Sequence, residues 1–165
     1  ALKRTSSKSK PSDSQEEALQ RALRFLGYRP RSEAELQNFL VQRGYSIVIA
    51  ERALAKLRSL NYLNDEAFAR NWARSRAETR GYGPKRIEQE LRTKGISREL
   101  IREVVRETYS QVDESARAKA LLVKRFKSRK FDDPKMLRRA VSFMQRSGYS
   151  SKVIFDLLKY PLEDD

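Results

Sequence analysis

The sequence predicts an all-α protein of three tandem three-helix repeats forming an elongated, curved array. Three observations predict it. Among 165 residues only six are Gly and five Pro, while 35% are charged, and Ala, Leu, Arg, Lys and Glu recur at helical spacing. One short turn then recurs three times, as "QRGYS" at 42–46, "TKGIS" at 93–97 and "RSGYS" at 146–150. Around its Gly the same offsets are apolar: Leu36, Ile87 and Ala140 eight before, Leu40, Leu91 and Met144 four before, Ile49, Leu100 and Val153 five after, and Ala53, Val104 and Leu157 nine after. Third, hydroxyl, Asn and Asp residues stand where helices should start.

The polar, Ser- and Lys-rich stretch 1–13 has little to bury and is expected to be a disordered basic tail. Repeat 1 (14–63) opens with Ser14 and Glu17, then Ser32 and Glu35, both at the spacing of a capping box, in which hydroxyl and carboxylate satisfy first-turn amides. Gly44 ends the second helix as a left-handed residue, and Ser46 caps a third whose face is Ile49, Ala50, Ala53, Leu54 and Leu57. Repeat 2 (64–112) starts at Asn64, places Phe68 and Trp72 on one face, and stops before Gly81. Its second helix starts at Pro84, faces inward through Ile87 and Leu91, and ends at Gly95; Ser97 starts the next, through Leu100, Ile101, Val104 and Val105. Repeat 3 (113–165) begins at Asp113 with a helix through Ala116, Ala120 and Val123. A second helix follows Asp133-Pro134 and ends at Gly148, and a third runs through Val153, Ile154, Leu157 and Leu158 until Pro161. Units this short bury too little to stand alone and should stack.

There is no Cys and no His, which excludes disulfides, thiolate chemistry, zinc clusters, Ser-His-Asp triads and imidazole catalysis. Carboxylates such as Glu88 and Glu90 are read as solvated charges with no partner for acid–base work. The expectation is a non-enzyme needing no metal and no cofactor. No apolar run approaches the roughly 18 residues of a spanning helix, and the start of the chain lacks the apolar centre of a signal peptide. A soluble, cytoplasmic protein is expected.

Net charge is +14, spread as +3 over each of 1–15, 16–64 and 65–112 and +5 over 113–165. Such a chain should concentrate near polyanions, with strong salt dependence. Arg70 and Arg74, and Arg76 and Arg80, are four apart, so the first helix of repeat 2 presents basic rows continuing into Lys85 and Arg86. The densest run is "KRFKSRK", with Lys124, Arg125, Lys127, Arg129 and Lys130 beside Phe126 and Phe131. These eleven cations are the candidate partner-binding residues; phosphates or an acidic protein patch would suit them equally, and a merely solvated face is the competing reading.

The passage "RGYGPK" invites a phosphate-binding reading, but a P-loop needs G-x-x-x-x-G-K-[ST], and Pro84 removes an amide. A structural joint fits better: Gly81 ends a helix, Gly83 permits a close approach and Pro84 presets the next helix. Tyr82 is read as packed. An anion at the helix N-terminus beside Lys85 and Arg86 is the alternative.

Tyr62, Leu63, Asp65, Phe68 and Ala69, leading into Arg80, Gly81, Gly83, Pro84, Ile87, Leu91, Lys94, Gly95 and Ile96, resemble the signature of the RecX family, bacterial regulators of the RecA recombinase. The match is specific over 61–106 and extends loosely over 16–160 through the repeat. The resemblance implies tandem three-helix repeats that lie in the groove of the RecA-DNA filament. It also implies lowered ATP hydrolysis, strand exchange and support of LexA self-cleavage by RecA, hence a role in recombination, DNA repair and the SOS response. The expected partners are RecA and its filament, with weak direct DNA contact possible and the protein a monomer. The alternative is a stand-alone basic helical nucleic-acid-binding protein with helix-turn-helix readers. Against it, helices after the Gly turns begin "SIVIA" and "SSKVI", apolar for a groove-facing start.

Overall fold

The computed structural model describes residues 14–110, 113–127, 131 and 133–159. The tail 1–13, Arg129, Lys130 and the stop at Pro161 lie outside the described residues. Within them the chain forms nine helices and no strand. It divides into two units, the first ending at Phe68 and the second beginning at Ala69.

In the first unit α1 (Gln15–Leu26), α2 (Glu33–Gln42) and α3 (Ile47–Ser59) precede the start of α4 (Asp65–Arg80). Their ends follow the local chemistry. Ser14, Ser32 and Ser46 accept from the backbone N–H three residues on, at 3.2, 3.2 and 3.3 Å. At Ser32 the reciprocal bond is present, its own N–H donating to Glu35 at 3.2 Å. Gly44, at φ +93, closes α2. α1 packs chiefly on α3, through Ala18 and Ala22 on one side and Ala50 and Ala53 on the other, all fully buried. Leu36, Leu40 and Leu57 fill the remaining space. Truncating any of these leucines to Ala should cost about 2–5 kcal/mol.

The second unit holds the rest of α4 with α5 (Pro84–Thr93), α6 (Arg98–Tyr109), α7 (Glu114–Phe126), α8 (Pro134–Ser147) and α9 (Ser151–Lys159). Ser97 caps α6; Asp113 and Asp133 cap α7 and α8, each carboxylate accepting two first-turn amides. Ile87, Leu91, Val104, Leu122, Ala140 and Met144 are fully buried. Two inward faces differ from expectation. On α4 the buried stripe is Ala69, Ala73 and Ala77, with Phe68 at its start; Trp72 lies only half-buried beside it. On α7 it is Ala118 and Leu122, while Ala116 and Ala120 are exposed. Both helices carry alanines on several faces, so small apolar residues do not identify the one turned inward. Among the described residues no helix is long and apolar enough to cross a membrane.

Candidate functional site

The "RGYGPK" segment is a joint, and it reaches across repeats. Arg80 ends α4, and Gly81 reverses the chain at φ +64. Gly83 is extended (φ −81, ψ 170) and Pro84 takes the first position of α5. The amides that could have faced an anion are already used: Gly83 N–H donates to the Ser147 carbonyl at 2.8 Å, Lys85 N–H to the Gly148 carbonyl at 3.1 Å, and Arg86 N–H to the Gly83 carbonyl at 3.2 Å. With Pro84 supplying none, the first turn has no free amide for a phosphate. Two tyrosines complete the clasp. Tyr149 Oη–H donates to the Gly81 carbonyl at 2.9 Å, and Tyr109 Oη–H donates to the Tyr82 carbonyl. Burial pushes both hydroxyl pKa values up, Tyr149 to about 12.

Both glycines facing each other there are required by space. A Cβ on Gly83 would lie 2.6 Å from the Gly148 carbonyl oxygen, and one on Gly148 2.3 Å from the Arg86 nitrogen. The matching glycine of the first repeat, Gly44, has nothing within 4 Å of such a carbon. The same Gly turn therefore only ends a helix in repeat 1, while in repeat 3 it also seats the backbone of repeat 2.

Around this joint the candidate cations separate into two groups. Arg70 is committed to α6, its guanidinium 2.6 Å from Glu103 and 2.9 Å from Glu107; its hydrogen bond draws the Glu107 pKa down. Arg76 and Arg86 both donate to Glu90, each at 3.2 Å, and the same carboxylate accepts from Trp72 Nε1 at 3.0 Å. Glu90, expected to be a solvated charge, is thus the hub tying α4 to α5, its side chain only 18% exposed. The spacing on one helix could not reveal partners 14 and 18 residues away. The Trp72 ring is flanked by Arg76 and Lys94, whose cationic groups lie 4.3 and 4.1 Å from its centre, so this aromatic is covered rather than offered. Tyr82 is half-buried with the Arg86 guanidinium 5.5 Å from its ring.

The second group is exposed: Arg74 and Arg80 on α4, Lys85 on α5, Lys124 and Arg125 in the last turn of α7, and Lys127, which closes that helix in a left-handed conformation at φ 51. Arg74 lines a concavity of about 420 Å³ with Arg70, Glu78, Thr108 and Arg117. Arg117 Nη1 is buried there without a hydrogen-bond partner among the described residues.

The other signature residues are structural. Leu63 and Phe68 are buried, Ile87 and Leu91 fully so, and Gly95 adopts φ +77. Asp65 has a role its sequence position conceals: its carboxylate accepts from Glu33 N–H at 2.8 Å, satisfying a first-turn amide of α2 from 32 residues away. Tyr62 is the exception, 60% exposed.

Sequence reading overlooked a further cluster in the first unit. Phe25 and Phe39 stack with centres 3.9 Å apart, Arg31 lies 4.0 Å over one ring and Arg43 5.1 Å over the other. The only signal was a density of Arg and aromatic residues between 21 and 43.

Comparison with known proteins accounts for this architecture. Residues 18–57, 64–105 and 113–158 match the first, second and third three-helix domains of RecX. The regulatory protein RecX of Mycolicibacterium smegmatis is 31% identical over 160 residues, covering 94% of this chain and 85% of the relative. That of Corynebacterium efficiens is 35% identical over 154 residues, covering 90% and 73%. A crystal structure of a regulatory protein RecX superposes with a TM-score of 0.72 at 27% identity, covering 88% of this chain and 71% of the other. At 20% identity, RecX from Lactobacillus salivarius shares the fold, with a TM-score of 0.71 over 87% of this chain and 93% of that one. All three repeats, in order and together spanning most of the sequence, match their RecX counterparts, so the chain belongs to the RecX family.

Proposed function

We propose that this protein is a non-enzymatic regulator that binds the RecA-DNA filament and restrains RecA's recombinase, ATPase and coprotease activities in DNA repair and the SOS response. Family membership supports the regulatory role. The observation that carries the binding surface is the division of cations around the joint. Arg70, Arg76 and Arg86 are spent on Glu90, Glu103 and Glu107, whereas Arg74, Arg80, Lys85, Lys124, Arg125 and Lys127 are exposed. Exposed Arg and Lys outside those ion pairs give a field that draws an acidic filament and positions the protein on it. The joint sets the spacing between the repeats that carry these side chains. The protein acts as a cytoplasmic monomer, with no metal or cofactor.

Titration of the protein into RecA on single-stranded DNA, with ATP hydrolysis and binding followed together, tests this. Substoichiometric protein should suppress hydrolysis, and the doubly substituted Arg74→Glu, Arg80→Glu chain should bind the filament at least about tenfold more weakly with unchanged helical content. Tighter binding to bare DNA than to the filament at physiological salt, with hydrolysis untouched, would overturn the proposal in favour of a stand-alone nucleic-acid-binding protein.

A further inference from the structure

The cluster on the first unit has no part in the surface just described. We propose that it is a binding site for single-stranded nucleic acid, with Tyr28 as the base-stacking platform and Arg24, Arg31 and Arg43 as the phosphate contacts.

Its geometry supports this in three ways. The residues surround an open concavity of about 390 Å³ between the end of α1, the following loop and α2. Within it Tyr28 is 84% exposed, an aromatic face left in water beside rings that are already stacked and capped by guanidinium groups. Second, cations exceed anions. Glu17 pairs with Arg21 at 2.8 Å and Glu35 with Arg29 at 2.8 Å, while Arg24 and Arg43 are exposed and without an ion pair among the described residues. Third, Arg31 is incompletely satisfied. Its Nε is buried with no hydrogen-bond partner among the described residues, and its nearest carboxylate, Glu35, is 3.9 Å away. Burial, reinforced by Arg29 and opposed by Glu35, lowers its pKa.

Arginines laid flat on aromatic rings are pre-organised, and a planar guanidinium fork matches phosphate oxygens. Basic groups tracking a backbone beside an aromatic platform are the combination by which unpaired strands bind, because every base has a face to stack. A duplex keeps its bases stacked internally and has none to give Tyr28. An acidic peptide would pair with the arginines but gain nothing comparable from the ring.

The test uses the full chain and a labelled oligothymidylate of about 15 nucleotides, with an abasic oligomer of equal length, a duplex and polyglutamate as comparisons, in the absence of RecA. Tyr28→Ala should weaken oligothymidylate binding by about 5- to 100-fold and leave abasic binding unchanged, while Tyr28→Trp retains affinity. Arg24→Ala and Arg43→Ala should each weaken both single strands and lower the salt slope by about 0.7. Tyr28 is too exposed for its loss to unfold the domain, and circular dichroism checks this. Oligothymidylate binding indifferent to Tyr28→Ala, or duplex binding as tight as single-strand binding, overturns the proposal. Polyglutamate binding with the same Tyr28 dependence would reassign the site to acidic peptides. Because RecA is absent, these outcomes are separate from those of the filament assay.

Discussion

Replacing Gly83 by Ala adds one carbon, yet should be among the more damaging small changes available in the second unit. Backbone conformation is not the reason: at φ −81 and ψ 170 any residue is comfortable. On an open loop the substitution would stabilise by about 0.4–1 kcal/mol through the unfolded chain. Here the new carbon would lie 2.6 Å from the Gly148 oxygen, 2.7 Å from its carbonyl carbon and 2.9 Å from the Tyr149 nitrogen. All three are backbone atoms, so no side chain can swing aside. Relief requires the two segments to separate by roughly 0.8 Å, which brings the closest contact to ordinary van der Waals distance. That movement strains the Gly83-to-Ser147 and Lys85-to-Gly148 bonds, at 2.8 and 3.1 Å, and the two tyrosine bonds. At about 0.5–1.5 kcal/mol each, partial loss of four bonds predicts destabilisation of about 2–4 kcal/mol. Urea unfolding followed by Trp72 fluorescence would measure it, and hydrogen exchange at the Gly83 and Lys85 amides would locate it. Gly44→Ala is the control, because its carbon meets nothing within 4 Å; it should cost only the left-handed penalty of about 1 kcal/mol. A Gly83→Ala protein as stable as the parent, with both amides still protected, would refute the reasoning.

Glu90→Ala should release Arg76, Arg86 and the Trp72 indole together, costing about 1–3 kcal/mol and shifting Trp72 emission to the red; unchanged emission would deny Glu90 its hub role. Raising pH should loosen the joint through Tyr149. Its folded pKa is raised to about 12, so its contribution is complete below the ordinary tyrosine value of about 10 and is lost as pH climbs toward 12, a decline that Tyr149→Phe should reduce in a pH series of urea midpoints. Reversing Arg70 to Glu should set three carboxylates against one another on α4 and α6 and lower stability, whereas Arg74→Glu should be nearly neutral for stability and act on binding; comparing their melting midpoints separates the two kinds of arginine.

Much of the fold was legible in the sequence because its signals are local. Ser32, Asn64, Asp113 and Asp133 cap amides two or three residues away, and Gly44, Gly95 and Gly148 take up the left-handed turns that their positions predict. The paired core positions Leu36 and Leu40, Ile87 and Leu91, and Ala140 and Met144 are all fully buried, because the helical period alone places each pair on one face. The site was legible only in outline. That Arg70, Arg76 and Arg86 are ion-paired while Arg74 and Arg80 are exposed depends on carboxylates carried by other helices or other turns.

The sequence by itself determined the helices, their caps and the threefold repeat, since those follow from contacts within one or two turns. Tertiary structure alone decided which of the recurring Gly turns must be bare for want of space. Gly44 and Gly148 sit in nearly identical turns, yet only Gly148 meets another backbone, because the segment that fills the space around it lies more than sixty residues away in the chain. It also decided which charges remain to meet a partner: a carboxylate neutralises whatever cation the packing brings within reach, and packing, unlike a helix, has no period to read.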